Sequence, residues 1–367
     1  MKVLITGLNH EGEGITRVDN KVVFVKYALP GEEVDIDIIK SKKNYSIGLL
    51  KEVILPSKER ICNKCPYYYI CGGCNLEHTT YDNELLFKKN KVKNILLKYS
   101  GISIDLDIVS SNKRYNYRNK ITLHKQNNKI GYMKEKTNLI IPIDKCLIAN
   151  DLINNEIKTI KSNNEQIVLR TNGKEVIFDK NSSLIMNVNE YKFKIDINSF
   201  FQVNTYISEE IFKYMEHIID NSNLILDLYS GVGTLSLMAS QKANKVVGIE
   251  VNKYSHLNAL ENIKLNKISN VEFIHGKVED KIKNIKDKVD LIITDPPRSG
   301  MDKKTINVIK ELKPEKIVYM SCEPITLARD LNSLKELYEL KSIKLFDMFP
   351  CTYHVESVCL LERKNWL

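Results

Sequence analysis

Cys322 stands in Ser321-Cys322-Glu323-Pro324, directly after the apolar run 316–320. A thiolate is a strong, soft nucleophile once its proton is removed. Free cysteine is also among the most buried residue types, so placement decides between the two uses. Asp295-Pro-Pro-Arg-Ser-Gly300 closes another apolar run, its two prolines stiffening the backbone beside a carboxylate. His354-Val-Glu356 opens the last apolar run, and Glu356 there can act as a general base. If these runs are neighbouring strands of an open α/β sheet, their ends share the rim where ligands bind. Nucleophile and base then lie on one rim, a set suited to covalent catalysis with proton removal.

A third motif on that rim is Asp227-Leu-Tyr-Ser-Gly231-Val-Gly233-Thr, between an apolar strand and a helix. Glycines let backbone approach a ligand closely at such a turn. Position 236 is serine, so the third glycine of a dinucleotide fingerprint is missing. Glu250, nineteen residues after Gly231, ends the next strand, where a carboxylate can bind ribose hydroxyls. The combination looks like the S-adenosylmethionine site of a class I methyltransferase.

Four of the eight cysteines fall within thirteen residues, as Cys62-x2-Cys65-x5-Cys71-x2-Cys74, and Cys146 lies far downstream. Such spacing points to metal. Four thiolates suit zinc or an iron–sulfur cluster, and the spacing alone does not choose between them.

These motifs need elements to position them. Residues 1–56 read as short strands (15–27, 34–40, 45–55) with turns between, which suggests a small barrel of oligonucleotide-binding type. Residues 81–100 read as a helix, with Leu85, Leu86, Val92, Ile95, Leu96 and Leu97 on an apolar stripe and lysines opposite. Residues 108–200 are strand-rich, with hairpins 121–124/129–133 and 167–170/176–179. From about residue 205, runs at 224–228, 245–249, 271–274, 289–293 and 316–320 alternate with helical stretches. That predicts a parallel sheet covered on both faces. The division is then 1–56, 57–200 and 201–367, with helix 81–100 free to pack on the last part.

The 367 residues are 43% hydrophobic and 28% charged, which excludes wholesale disorder. No apolar run has the length of a membrane helix, and residues 1–10 do not resemble a signal peptide, so a cytoplasmic protein without membrane contact is expected. The formal charge is +9, and residues 88–136 alone carry +10, interleaved with Tyr99, Tyr115, Tyr117 and Tyr132. Basic charge beside aromatic rings suits RNA.

Taken together, these residues resemble the 23S ribosomal RNA (uracil-5-)-methyltransferase family along nearly the whole chain. Residues 1–56 resemble its TRAM domain. Cys65-x5-Cys71-Gly-Gly-Cys74, with Cys146, resembles its cluster motif. The resemblance implies a [4Fe-4S] cluster on Cys65, Cys71, Cys74 and Cys146, leaving Cys62 spare. It implies S-adenosylmethionine contacts from Gln202, Tyr229, Glu250 and Asp295, with Cys322 as nucleophile and Glu356 as base. The expected fold is a Rossmann-like C-terminal α/β methyltransferase domain, an OB-like N-terminal barrel and a small strand-rich iron–sulfur domain. The expected partner is 23S ribosomal RNA, with no obligate protein partner. Two rivals are a transfer-RNA uracil-5-methyltransferase, against which cluster and barrel argue, and a non-catalytic RNA-binding factor, against which Cys322 and Glu356 argue.

Overall fold

The computed structural model describes residues 1–127, 129–135, 137–178 and 181–364. Asp179, the end of one expected hairpin strand, lies outside the described residues, as do Asn128 in the other hairpin's turn and Lys136.

The N-terminal part is a six-stranded sheet formed by Lys2–Leu4, Gly7–Leu8, Gly14–Val18, Lys21–Val25, Glu33–Ser41 and Tyr45–Leu55. Register shifts between Glu33 and Val34, Asp35 and Ile36, and Ile38 and Lys40 break the pairing of the two longest strands. Such bulges bend a strand. The sheet buries Ile5, Val23, Val25, Ala28, Val34 and Ile36.

A five-stranded antiparallel sheet follows, with Lys120–Gln126 central and Gln166–Thr171 beside it. Helix Asp151–Thr159, not anticipated from the sequence, lays Ile153 and Ile157 over Ile121, Leu123, Ile167 and Leu169. The ribbon Ser183–Val188/Tyr191–Asp196 belongs instead with the C-terminal part. Along helix Lys253–Leu265 and its C-cap, Asn258, Asn262 and Asn266 accept from the backbone N–H groups of Asp196, Lys194 and Lys192. Three asparagines at helical spacing thereby satisfy what would be an open strand edge.

The C-terminal sheet has eight strands in the spatial order Val271–His275, Ala243–Glu250, Ser222–Leu228, Leu291–Thr294, Lys316–Ser321, Glu356–Arg363, Tyr338–Phe346, Asp107–Val109. The first five are parallel; Glu356–Arg363 runs antiparallel to both its neighbours. Both faces are covered, so strand sequences are continuously apolar. Ile225, Ile293 and Val318 face one core; Leu226, Ile292 and Ile317 face the other.

Helix Tyr81–Ser100 packs in that second core through Val92, Ile95 and Leu96 beside Leu327, Ala328 and Leu331. Its buried stripe is rotated from the sequence expectation. Leu86 and Leu97 are exposed, whereas Glu84, Lys88 and Lys91 are buried. Among the described residues no helix is long and apolar enough to cross a membrane.

Candidate active site

At the carboxyl end of Ser222–Leu228 the chain turns through Tyr229 at φ 65° and Gly231 at φ 57°. A left-handed tyrosine is a strained conformation, of the kind that clusters at functional sites. Gly233, at φ 86°, lies so close to the Phe273 ring that a Cβ there would sit 2.6 Å from Cζ. The close approach, not only the turn, requires glycine. Ser236, at the position of the absent third glycine, donates its hydroxyl to Asp227 Oδ2 at 2.5 Å.

A pocket opens over this turn, lined by Gln202, Asp227, Tyr229, Ser230, Gly231 and Asp295 among others. Asp227 Oδ1 and Ser230 Oγ are buried without a protein partner. Burial pushes the Asp227 carboxyl up to about 7, opposed by the Ser236 hydrogen bond and reinforced by the Asp295 and Glu250 charges. Burial likewise raises Asp295 to about 7. Two carboxyls that resist ionisation, with unfilled acceptor capacity between them, fit a cationic ligand carrying N–H donors. Glu250 does not line this pocket. Its carboxylate accepts from Gly231 N–H at 2.8 Å and from Asn252 N–H.

Cys322 follows strand Lys316–Ser321, and Glu356 opens the adjacent antiparallel strand. The Cys322 thiol is raised to about 12, first by burial and then by the Glu356 and Asp295 charges, with Arg298 acting against them. Glu356 is buried, its Oε2 has no partner, and burial followed by Asp295 holds its carboxyl well above the usual range. Arg298 Nη2 donates to His354 Nε2 at 3.3 Å. Burial and the neighbouring Arg298 and Lys91 keep that imidazole neutral, with a pKa near 3. Cys322, Glu356 and Asp295 therefore share one electrostatic neighbourhood.

A second cavity, of about 740 Å³, is lined by Cys65, Cys71, Cys74 and Cys146 together with Arg118, Lys120, Tyr132 and Phe200. Burial and the other thiols raise Cys71 and Cys74, and burial raises Cys65 to about 11. Cys62 is exposed and outside the lining. Cys351, far from the other cysteines in the chain, lines it as well. The donor chemistry, five soft thiols around one space, fits a thiolate-ligated cluster that uses four of them. Among the described residues, however, no group of three or more His, Cys, Asp or Glu side chains is drawn together into a metal-binding set. Phe200, 64% exposed, lines both this cavity and the pocket over the glycine turn.

The basic stretch 88–136 is not a uniformly solvated face. Lys88 has no exposed side-chain surface, and Arg114 pairs with buried Glu84 at 3.0 Å. Sequence reasoning missed this network. Its one signal was Glu84, Lys88 and Lys91 falling in line with Val92 and Ile95 at helical spacing.

The family profile described as tRNA (uracil-5-)-methyltransferase matches residues 160–364, and the TRAM domain profile matches residues 1–51. An uncharacterized RNA methyltransferase of Clostridium tetani is 34% identical, covering 97% of this chain and 95% of its own length. Another, of Mycoplasma mobile, is 34% identical over 97% of each chain. The crystal structure of the Pyrococcus abyssi tRNA (uracil-54, C5)-methyltransferase in complex with S-adenosyl-L-homocysteine superposes with a TM-score of 0.80 at 26% identity, covering 98% of this chain and 100% of that one. With a family profile over more than half its length and full-length relatives at this identity, the chain belongs to the tRNA (uracil-5-)-methyltransferase family of RNA methyltransferases and begins with a TRAM domain.

Proposed function

We propose that the protein transfers a methyl group from S-adenosylmethionine to C5 of a uridine in RNA, through a covalent adduct on Cys322. The observation that carries this reading is the pairing of a rim cysteine with an unpartnered buried carboxyl, Glu356, beside the pocket over the glycine turn. The unpartnered Asp227 Oδ1 and the raised Asp295 support a cationic methyl donor there, contacted by Gln202, Tyr229 and Asp295. Glu250, whose carboxylate also accepts from Gly231 N–H, is the proposed contact to the donor's ribose hydroxyls.

Uracil C5 is too weak a carbon nucleophile to take a sulfonium methyl unaided. Cys322, as thiolate, bonds to C6, and the displaced π electrons make C5 enolate-like. C5 then bonds to the methyl carbon as the methyl–sulfur bond of the donor breaks. Glu356 takes the C5 proton, and the C5–H electrons re-form the double bond as sulfur leaves C6. Both faces of the base must be reached, so the base leaves its stack.

The proposed [4Fe-4S] ligands are Cys65, Cys71, Cys74 and Cys146, and the proposed division of the chain is 1–56, 57–200 and 201–367, with helix Tyr81–Ser100, strand Asp107–Val109 and the ribbon Ser183–Val188/Tyr191–Asp196 of the middle segment packed into the last part. A cluster held there supplies a rigid cross-link between the two cysteine segments; the methyl transfer requires no redox step. The cysteine motif favours 23S ribosomal RNA as substrate. The Pyrococcus match favours the second reading, transfer RNA, and since it spans 98% of this chain the N-terminal domain does not discriminate between them. Methylation of purified ribosomal RNA and transfer RNA, followed by mapping of 5-methyluridine, tests both. Incorporation into transfer RNA alone rejects the first substrate; none into either rejects the activity.

A further inference from the structure

Glu356 emerges from a nine-residue span, 347–355, that joins the strand ending at Phe346 to the strand it opens. That span is held from outside at successive residues. Lys88 Nζ donates to Asp347 Oδ1 at 2.6 Å, to Glu84 Oε1 at 2.7 Å and to the Phe349 carbonyl at 3.2 Å, which uses all three ammonium protons. Glu84 Oε1 also accepts from Cys351 N–H at 2.7 Å. Lys91 Nζ donates to the Tyr353 carbonyl at 3.1 Å. Residues 347, 349, 351 and 353 are thus gripped by one face of helix Tyr81–Ser100, through positions 84, 88 and 91. From the other side, Tyr117 Oη donates to the Pro350 carbonyl at 3.1 Å, and Asn75 and Leu76 N–H groups donate to the Cys351 carbonyl. Tyr81 Oη donates to Asp347 Oδ2 at 2.7 Å, and Arg114 closes the set on Glu84.

The Glu84 and Asp347 carboxylates answer Lys88 and Arg114, Lys91 adds a third cation bound to a carbonyl, and every buried charge in the network is hydrogen-bonded. A buried ionic set is an inefficient route to stability, since apolar side chains of the same volume do as well. Its advantage is geometric: it fixes a loop backbone at defined points, as packing alone does not. From this we infer that Glu84, Lys88 and Lys91 are positioning residues, a splint that sets the approach of Glu356 to the carbon opposite Cys322. The inference rests on Glu356 being the base in the reaction proposed above.

The test compares full-length wild-type protein with Lys88→Met, Asp347→Asn, Lys91→Met and Glu356→Gln on unmodified target RNA. Misplacing a base by about 1 Å slows its step by roughly 10²-fold. Turnover of the splint variants should fall by that order, and a methylated protein–RNA adduct should accumulate on denaturing gels, with S-adenosylmethionine affinity unchanged. Lys88→Met strands two buried carboxylates; should it fail to fold, Lys91→Met carries the test, because it removes one tether and leaves no charge behind. Turnover falling only in proportion to the folded fraction, with no adduct, overturns the inference. If Glu356→Gln forms the adduct and the splint variants do not, the splint fails while the reaction stands. If Glu356→Gln forms none, the reaction itself is misread.

Discussion

Cys322 and Glu356 stand at one end of two adjacent antiparallel strands: the register pairs Ser321 with Ser357, so Cys322 lies one residue past the end of its strand and Glu356 at the first position of the next. RNA carrying 5-fluorouridine at the target should trap a covalent complex with wild-type protein, because fluorine replaces the proton that the proposed base Glu356 would remove. Cys322→Ala should form none, and its turnover should drop by roughly 10⁴-fold or more. Near-normal methylation by Cys322→Ala, measured by tritium transfer, would overturn the site assignment.

The same neighbourhood dictates a pH response. Thiol and carboxyl are both raised, so their reactive, ionised forms become populated only as pH increases. The rate should climb from neutral into alkaline solution. Arg298 lowers both groups, so Arg298→Met should move the profile to higher pH, and Glu356→Gln should make Cys322 more reactive to iodoacetamide by removing a repelling charge. Unshifted profiles and alkylation rates would show that burial alone sets these groups.

Much of this site could be read from the chain and some could not, for identifiable reasons. The rim motifs of Asp227, Asp295 and Cys322 sit where apolar runs end, and period and run length locate such ends. Glu356 was recognisable only through its motif; its strand is antiparallel, and no local pattern announces strand direction. Glu250 was legible as a strand-end carboxylate, but whether it faces ligand or backbone depends on the turn at Gly231. Strand Asp107–Val109, three residues long, joins the sheet edge beside Tyr338–Phe346, a pairing across more than 230 residues that leaves no local trace. The buried faces of Lys88 and Lys91 broke the rule that lysine points to water, because their partners come from residues 347–353.

Asp227 provides a stability test. Its folded pKa of about 7 exceeds its unfolded value, so the folded state binds the extra proton. That advantage is complete below the unfolded pKa and is lost as pH rises through 7. Asp227→Asn should therefore unfold at higher urea than wild type at alkaline pH, by roughly 1–4 kcal/mol, with the difference vanishing in acid. Ser236→Ala, which removes the hydroxyl donor to Asp227 Oδ2 and keeps only the backbone hydrogen bond from residue 236, should cost about 1–3 kcal/mol. Equal urea midpoints at all pH values would contradict the burial of an ionisable group there.

The cysteine set makes a metal prediction. Protein purified without oxygen should contain about four iron atoms per chain. Cys71→Ser should lose them, and Cys62→Ser, whose thiol is exposed and outside the cavity, should keep them. Stoichiometric zinc without iron would replace the cluster reading with a structural zinc site.

The basic stretch divides by burial, and RNA binding should divide with it. Arg118 and Lys120 line the cysteine cavity beside exposed Phe200, and the burial of Lys120 between Arg118 and Arg170 lowers its pKa to about 8. An ammonium held that way gains from an approaching phosphate, which relieves its repulsion by the two guanidinium groups. Arg118→Ala with Lys120→Ala should therefore weaken RNA binding and reduce the salt slope by about 1.4–1.8, roughly 0.7–0.9 for each phosphate contact removed. Arg114→Met should behave oppositely. Its side chain answers buried Glu84, so its removal should cost about 3–5 kcal/mol of stability and leave the salt slope of the folded fraction unchanged. Filter binding across a salt series, beside urea unfolding of the same variants, separates the two effects. A slope altered by Arg114→Met and untouched by the double variant would mean that RNA follows another face of the molecule.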